Sequence, residues 1–229
     1  MGLKHSPIIV TNGLVLCLDA GNSRSYPGSG TTWTDLSGLS NTGTLTNGPT
    51  YSSSNGGSIV FDGVDDYVDL GNPSSLSAIG GTTNITASGW AYYTAYGGGG
   101  QSYSVITVKG SPWTWLLENL SSTFRFRITA GGSDVNVADT STHALNTWYN
   151  VVGTYDGSNM KIYVNGVLKN TAAQTGTLAT NTETAKIGTW QGTNYNLTGR
   201  VSNVSIYNRA LTAAEIKQNY NALKGRFGL

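Results

Sequence analysis

Aromatic residues in loops, with polar residues beside them, are the side chains of this sequence best suited to bind a ligand. Aromatic faces stack on the apolar faces of pyranose rings, and amides supply hydrogen bonds to sugar hydroxyls. The pattern predicts a carbohydrate-binding site made of Trp113, Trp115, Trp190, Asn194 and Tyr195, with Tyr96 and Tyr103 beside a glycine run as further candidates. For the three tryptophans, packing inside the fold is the alternative interpretation.

Residues that could act as a catalytic acid and base are few. The chain has only three glutamates, and the clustered aspartates Asp62, Asp65, Asp66 and Asp69 lie around a predicted turn at Gly63. His143 has no nucleophile signature near it, so we expect a solvated loop histidine. No phosphate-binding, dinucleotide-binding or zinc-binding spacing is present in the sequence. The sequence therefore predicts a protein that is not an enzyme.

The charge balance bears on the class of partner. Charged residues make up 11% of the 229 residues and the net charge is +1, against about 25% charged residues in an average domain. We expect neither nucleic acid nor an anionic membrane as a partner, and no apolar run is long enough to insert into a membrane. The first residues do not resemble a secretory signal. The single cysteine, Cys17, lies in an apolar segment and is expected to be buried.

The positions of apolar residues predict strands through most of the chain. In the stretch 148–168, Met160, Ile162 and Val164 alternate with polar residues, and Asn165-Gly166 is a strong hairpin signal. A capping box at Thr212 and Glu215 predicts a helix over 212–223. We therefore predict an all-β fold, a two-sheet antiparallel β-sandwich of jelly-roll type with one short C-terminal helix. The expected organisation is an N-terminal arm (1–12), one domain (13–223) and a C-terminal tail (224–229), with little regular structure in 19–58.

Several motifs occur in the order found in one known family. They are Gly13-Leu14-Val15-Leu16, the segment 61–68 (FDGVDDYV), Ile85 to Trp90, the segment 148–166, and Val204 to Leu211. Together they resemble the laminin-G-like group of the concanavalin A-like lectin/glucanase superfamily, over roughly residues 13–223. The resemblance implies a concanavalin A-like sandwich, in which Trp90 and Trp148 belong to the core. Glucanases of this fold carry a Glu-x-Asp-x-x-Glu motif, and no glutamate of this chain has that spacing.

The same resemblance implies a possible calcium site. Many relatives hold one Ca²⁺ with an early loop and an aspartate before the last strand, and here Asp35 and Asn41 match the early ligands. At the late position Ser202 and Asn203 replace the carboxylates, which weakens a site for this cation. The candidate ligands are Asp35, Asn41 and Asn203. The alternative is that Asp35 and Asn41 form hydrogen-bonded turns in the loop.

The C-terminal sequence, from Asn221 to Leu229, resembles the ends of such domains in virion proteins of tailed phages. This resemblance favours a non-catalytic phage structural protein, such as a capsid decoration, fibre or tail adhesion component, that contacts host surface polysaccharide. It would associate with other virion proteins through the arm or the tail, as a homo-oligomer or on a particle, and its location would be the virion. The alternatives are an extracellular carbohydrate-binding module, and a glycoside hydrolase or lyase of the concanavalin A-like class.

Overall fold

A computed structural model describes residues 8–97, 102–190 and 195–229. The strands are β1 (Leu14–Asp19), β2 (Thr32–Trp33), β3 (Gly43–Thr46), β4 (Thr50–Ser52), β5 (Ser58–Asp62), β6 (Tyr67–Asp69), β7 (Ile85–Tyr93), β8 (Tyr103–Lys109), β9 (Trp115–Leu120), β10 (Thr123–Ala130), β11 (Ser133–Ala138), β12 (Trp148–Tyr155), β13 (Asn159–Val164), β14 (Val167–Ala173), β15 (Ala185–Ile187) and β16 (Thr198–Tyr207). The helices are a single turn, α1 (Ser74–Ser77), and α2 (Ala213–Leu223). Short 3₁₀ turns cover Ser54–Gly56 and Lys224–Phe227.

The strands form two antiparallel sheets of eight strands each. The first sheet has the order β14-β13-β12-β7-β16-β5-β4, and β1 also pairs with β16. The second sheet has the order β11-β10-β9-β8-β15-β6-β3-β2. This arrangement confirms the prediction of an antiparallel sandwich with one short C-terminal helix. The segment 19–58, for which we expected little regular structure, contributes the short strands β2, β3 and β4.

The inner faces of the two sheets pack on each other and form the main core. From the second sheet come Trp115 and Leu117 of β9 and Phe124 and Phe126 of β10, all at most 2% exposed. Gly153 of β12 permits a close approach between the two sheets. A Cβ atom at this position would lie 2.2 Å from Cγ of Phe126 of β10. The absence of a side chain there lets the Phe126 ring lie against the backbone of β12.

The helix α2 begins as the sequence predicts. The Thr212 hydroxyl accepts a hydrogen bond from the backbone N–H of Glu215, and the Glu215 carboxylate accepts one from the backbone N–H of Thr212. Arg209 adds a bidentate ion pair to that carboxylate, at 2.6 and 3.0 Å. These contacts, Arg209 first, lower the pKa of Glu215 from 4.5 to about 2. The helix start is thereby tied to the end of the last strand.

The C-terminal residues 224–229, which the sequence predicts as a tail, pack on the domain. Phe227 is 7% exposed, and its ring stacks on Trp90 with 4.1 Å between centroids. Arg226 forms a bidentate ion pair with Asp19, at 2.9 and 3.0 Å. The segment therefore closes over the outer face of the first sheet. Trp90 and Trp148 are buried as expected, but beneath this segment rather than between the sheets.

The described end of the predicted N-terminal arm also contacts the domain. The backbone N–H of Val10 donates to Oδ1 of Asn219 on α2, at 2.8 Å, and the hydroxyl of Tyr207 donates to the carbonyl of Val10. The side chain of Gln218 donates to the carbonyl of Ile8. Ile8 and Val10 are thus held against α2, and residues 1–7 lie outside the described part of the chain.

Candidate functional site

The outer face of the second sheet carries a cavity of about 220 Å³, which we call the aromatic pocket. Side chains of β9 and β10 alternate, so that Leu116, Glu118 and Arg127 face outward while their neighbours enter the core. The segment between β15 and β16 supplies Trp190 and Tyr195 from above the sheet. The pocket is lined by Tyr103, Val105, Trp113, Leu116, Glu118, Arg127, Trp190 and Tyr195.

Four aromatic rings line the pocket and contact one another in series. Trp113 meets Trp190 edge to face at 5.4 Å between centroids, and Trp190 meets Tyr195 at 4.9 Å. Tyr195 in turn meets Tyr103 edge to face at 5.2 Å. Trp190, Tyr195 and Tyr103 are partly exposed. Aromatic surface is therefore open to solvent on one side of the pocket and held in place on the other.

Two guanidinium groups and one carboxylate complete the site. Glu118 is 2% exposed, and its Oε1 accepts hydrogen bonds from Nη2 and Nε of Arg125, at 2.6 and 3.2 Å. The guanidinium of Arg127 lies 4.0 Å from the centre of the Trp113 ring. Burial raises the pKa of Glu118, and the two arginines oppose this rise because they favour the charged form.

The backbone of Tyr195 is in an unusual conformation. Its φ is +61°, a value that bulky L residues rarely adopt, and such strain typically costs of order 1–3 kcal/mol. The carbonyl of Tyr195 accepts a hydrogen bond from the backbone N–H of Val105, at 3.3 Å. This contact ties the segment to β8 and holds the Tyr195 ring against Trp190 and Tyr103. Strained residues of this kind cluster at active sites and ligand-binding sites.

The predicted sugar-binding residues do not all lie in one place. Trp190 and Tyr195 lie together at the pocket, and Tyr103 joins them. Trp113 forms a wall, because it is 7% exposed and Arg127 covers its face. Trp115 is fully buried in the core, where its indole N–H donates to the Thr107 hydroxyl, so it offers no surface to a ligand. Asn194 lies outside the described residues.

Tyr96, a further candidate from the sequence, is not among the lining residues, and its hydroxyl donates to the backbone carbonyl of His143.

Glu118 and Arg127 line the pocket but were not predicted as site residues, although the sequence contains a signal for them. The strands β9 and β10 pair across a short turn, which places Glu118 directly opposite Arg125. Opposite charges at facing positions of a hairpin indicate an ion pair on one face.

The loop that follows β2 does not have the geometry of a calcium site. The Asp35 carboxylate accepts four hydrogen bonds, from the backbone N–H groups of Cys17, Ser37 and Asn41 and from the Ser37 hydroxyl, at 2.6 to 2.9 Å. A carboxylate has about four lone-pair sites. Protein donors therefore occupy the oxygens that a cation would need, and Asp35 organises the loop.

The other two candidate calcium ligands are also engaged. Nδ2 of Asn41 donates to the carbonyl of Val15 at 2.7 Å, and its Oδ1 accepts from the hydroxyl of Ser75. Nδ2 of Asn203 donates to the carbonyl of Leu18 at 2.9 Å. These bonds join the early loop and β16 to opposite sides of β1. The donor set does not fit a cation, so the structure supports the alternative of hydrogen-bonded turns.

Two further groups have structural contacts. The carboxylates of Asp62, Asp65 and Asp66 lie within 4.8 Å of one another, and Asp62 and Asp66 accept backbone N–H bonds that form the turn after β5. His143 is 8% exposed, so the expectation of a solvated histidine is wrong. Its ring packs on Phe124, and Nε2 lies 2.5 Å from Oδ2 of Asp139. The apolar neighbours exclude water, and Asp139 gives the buried ring nitrogen a polar partner.

Solved structures with a similar fold include binding domains of toxins. The binding domain of Paraclostridial Mosquitocidal Protein 1 has a TM-score of 0.73 at 15% identity, and the alignment covers 93% of this chain and 52% of that one. The binding domain of botulinum neurotoxin DC, solved in complex with rat synaptotagmin II, has a TM-score of 0.69 at 15% identity with the same coverages. Botulinum neurotoxin type C, which depends upon interaction with two ganglioside molecules to enter cells, gives 0.68 at 14% identity, with 93% and 52% covered.

This chain spans about half the length of these solved proteins. At such low identities the similarity concerns the fold. No curated protein matches the chain in sequence. The model of the concanavalin A-like lectin/glucanases superfamily matches residues 62–217. This match covers most of the chain, from β5 to α2, and the chain therefore belongs to the concanavalin A-like lectin/glucanases superfamily.

Proposed function

We propose that this protein is a non-catalytic, lectin-like domain that binds a saccharide in the aromatic pocket. The observation that carries the proposal is the series of four contacting rings around an open cavity, with charged groups at its floor. Partly exposed Trp190 and Tyr195 offer faces for a sugar ring, and Glu118 and Arg127 offer polar partners for its substituents. The binding domains of similar fold support a role in recognition.

The size of the pocket indicates the size of the ligand. A cavity of about 220 Å³ is smaller than the roughly 300–1,000 Å³ of sites that enclose drug-sized molecules. One sugar ring at the end of a glycan, or one side branch, fits such a space better than an extended polysaccharide chain. We therefore propose recognition of a single ring, with the rest of the glycan in solvent.

The charged groups of the pocket support a binding role over hydrolysis. Glycoside hydrolases typically use two carboxyl groups, about 5–5.5 Å apart in retaining and 6.5–9.5 Å apart in inverting enzymes. Among the described residues that line the aromatic pocket, Glu118 is the only carboxylic acid, and Arg125 engages its Oε1. With no second acid among these residues, the pocket lacks the nucleophile of a retaining enzyme or the base of an inverting one.

Binding is tested first on a glycan array with the full chain and then by isothermal titration calorimetry. We expect Trp190→Ala and Tyr195→Ala each to weaken binding at least tenfold, which corresponds to about 1.4 kcal/mol. Tyr67→Ala is the control, because Tyr67 is a partly exposed tyrosine of the same sheet that does not line the pocket. Equal affinities of all three variants and the original protein would place any glycan site elsewhere and overturn the proposal.

The setting proposed for this domain is the virion of a tailed phage, where it would contact host surface glycans as a decoration, fibre or adhesion component. The support is the sequence resemblance alone. An assembly role cannot use residues 224–229 as a free anchor, because Phe227 and Arg226 pack on the domain itself. Mass spectrometry of purified virions tests this setting, and a protein found only in secreted fractions would favour the extracellular alternative.

A further inference from the structure

The aromatic pocket carries an excess of positive charge. Two arginines, Arg125 and Arg127, face one carboxylate, Glu118. Arg125 makes two hydrogen bonds to Oε1 of Glu118, at 2.6 and 3.2 Å, whereas Nη1 of Arg127 lies 3.7 Å from the same atom. The carboxylate is thus compensated by Arg125. Arg127 makes the longer contact with that carboxylate, so the three groups together keep one net positive charge.

Arg127 is positioned to receive a ligand. Its guanidinium stacks on the Trp113 ring at 4.0 Å, and 23% of its side chain is exposed. Stacking uses the face of the guanidinium and leaves the N–H groups at its edge, which match a carboxylate in a bidentate pair. Arg127 contacts Glu118 through Nη1, at 3.7 Å from Oε1, and it lines the pocket beside the two aromatic faces of the proposed sugar platform.

The loss of conformational entropy on ligand binding is also small at Arg127. Trp113 holds the guanidinium in one orientation before any ligand arrives, so less conformational entropy is lost on binding. The pocket is partly closed by aromatic rings, which reduces screening by solvent. An anionic group placed here replaces water at the edge of Arg127. Glu118 is the one acidic residue among the described residues that line the pocket, and Arg125 forms the shorter ion pair with it.

We propose that the ligand of the aromatic pocket is an acidic sugar, whose carboxylate pairs with Arg127 while its ring lies against Trp190 or Tyr195. This inference rests on the proposed function, because it names the ligand class of the same site. The ligand class is a carboxylated pyranose, such as a uronic or nonulosonic acid at the end of a glycan. A neutral pyranose would use the aromatic faces but leave Arg127 without its partner.

The test compares pairs of methyl glycosides that differ only at C6, a glucoside with its glucuronide and a galactoside with its galacturonide, together with a methyl glycoside of sialic acid. Isothermal titration with the full chain is expected to show at least one acid binding tenfold or more tighter than the neutral glycosides. Because the contact is ionic, this preference should decrease when the salt concentration is raised.

Substitution of the arginine separates the two proposals. Arg127→Gln should bring the affinity ratio of acid to neutral sugar close to one, and Arg127→Lys, which keeps the charge without the planar edge, should give an intermediate ratio. Arg24→Gln, at an exposed arginine outside the pocket, should leave the ratio unchanged. Neutral glycosides that bind as tightly as the acids would overturn the inference and leave the lectin function standing. No binding of any glycoside would overturn both.

Discussion

Phe227 provides a demanding test of the C-terminal part of the fold. Its ring lies 4.1 Å from Trp90 and 4.7 Å from Trp148, measured between centroids, and only 7% of the residue is exposed. Removal of a buried phenylalanine side chain typically costs about 3–5 kcal/mol. Because Phe227 lies at the outer face of one sheet and not between the sheets, we expect the lower end of this range. For Phe227→Ala the free energy of unfolding should fall by about 3 kcal/mol.

The assay is urea unfolding followed by circular dichroism, with a thermal scan beside it. For a domain of about this size, 3 kcal/mol corresponds to a decrease of roughly 6–12 °C in Tm. Leu229→Ala is the matched control, since Leu229 belongs to the same segment and is 44% exposed, and a change within about 0.5 kcal/mol is expected there. If Phe227→Ala were as stable as Leu229→Ala, we would conclude that residues 224–229 form a free tail that is not packed on the sheet.

Three further predictions concern the core, the helix start and the early loop. Gly153→Ala should lower the free energy of unfolding by about 1–3 kcal/mol, since the new Cβ overlaps Phe126. Gly225→Ala, where a Cβ would have no neighbour within 4 Å, is the control in the same melts. Equal stability of the two variants would contradict the close contact between the sheets. The pKa of Glu215 is lowered to about 2 from 4.5, so its contribution is present above pH 4.5 and lost as the pH falls towards 2. Glu215→Gln should therefore reduce the loss of stability over that pH range in urea melts, and an unchanged acid profile would refute the ion pair with Arg209. Asp35→Asn should lower the free energy of unfolding by about 1–3 kcal/mol, because backbone donors lose an acceptor oxygen. Chelation of divalent cations should leave Tm unchanged. A decrease in Tm with chelator would instead support a calcium site in this loop.

The regular elements of this fold were predictable because alternation along a strand is a local property. The apolar series of β13 and the Asn165-Gly166 turn fix that hairpin without reference to the rest of the chain. The capping box of α2 is equally local. The segment 224–229 was not predictable in the same way. The partners of Phe227 are Trp90 and Trp148 on distant strands, and only the tertiary fold brings the three rings together.

The candidate site was predictable in part, for the same reason. Aromatic residue types indicated Trp113, Trp190 and Tyr195, and the structure brings these three to one cavity. Trp115 is the first residue of β9 and points into the core, whereas Trp113 lies in the turn before that strand, and the sequence does not fix where β9 begins. The approach of Trp190 to Trp113 depends on the pairing of β15 with β8, a long-range contact.

The central claim is that a sugar ring binds in the aromatic pocket, and a crystal structure of the protein soaked with the tightest glycan from the array tests it most directly. We predict density for one ring against Trp190 or Tyr195, with its polar groups directed to Glu118 and Arg127. A sugar bound on another face, with the aromatic pocket empty at the same ligand concentration, would contradict the claim.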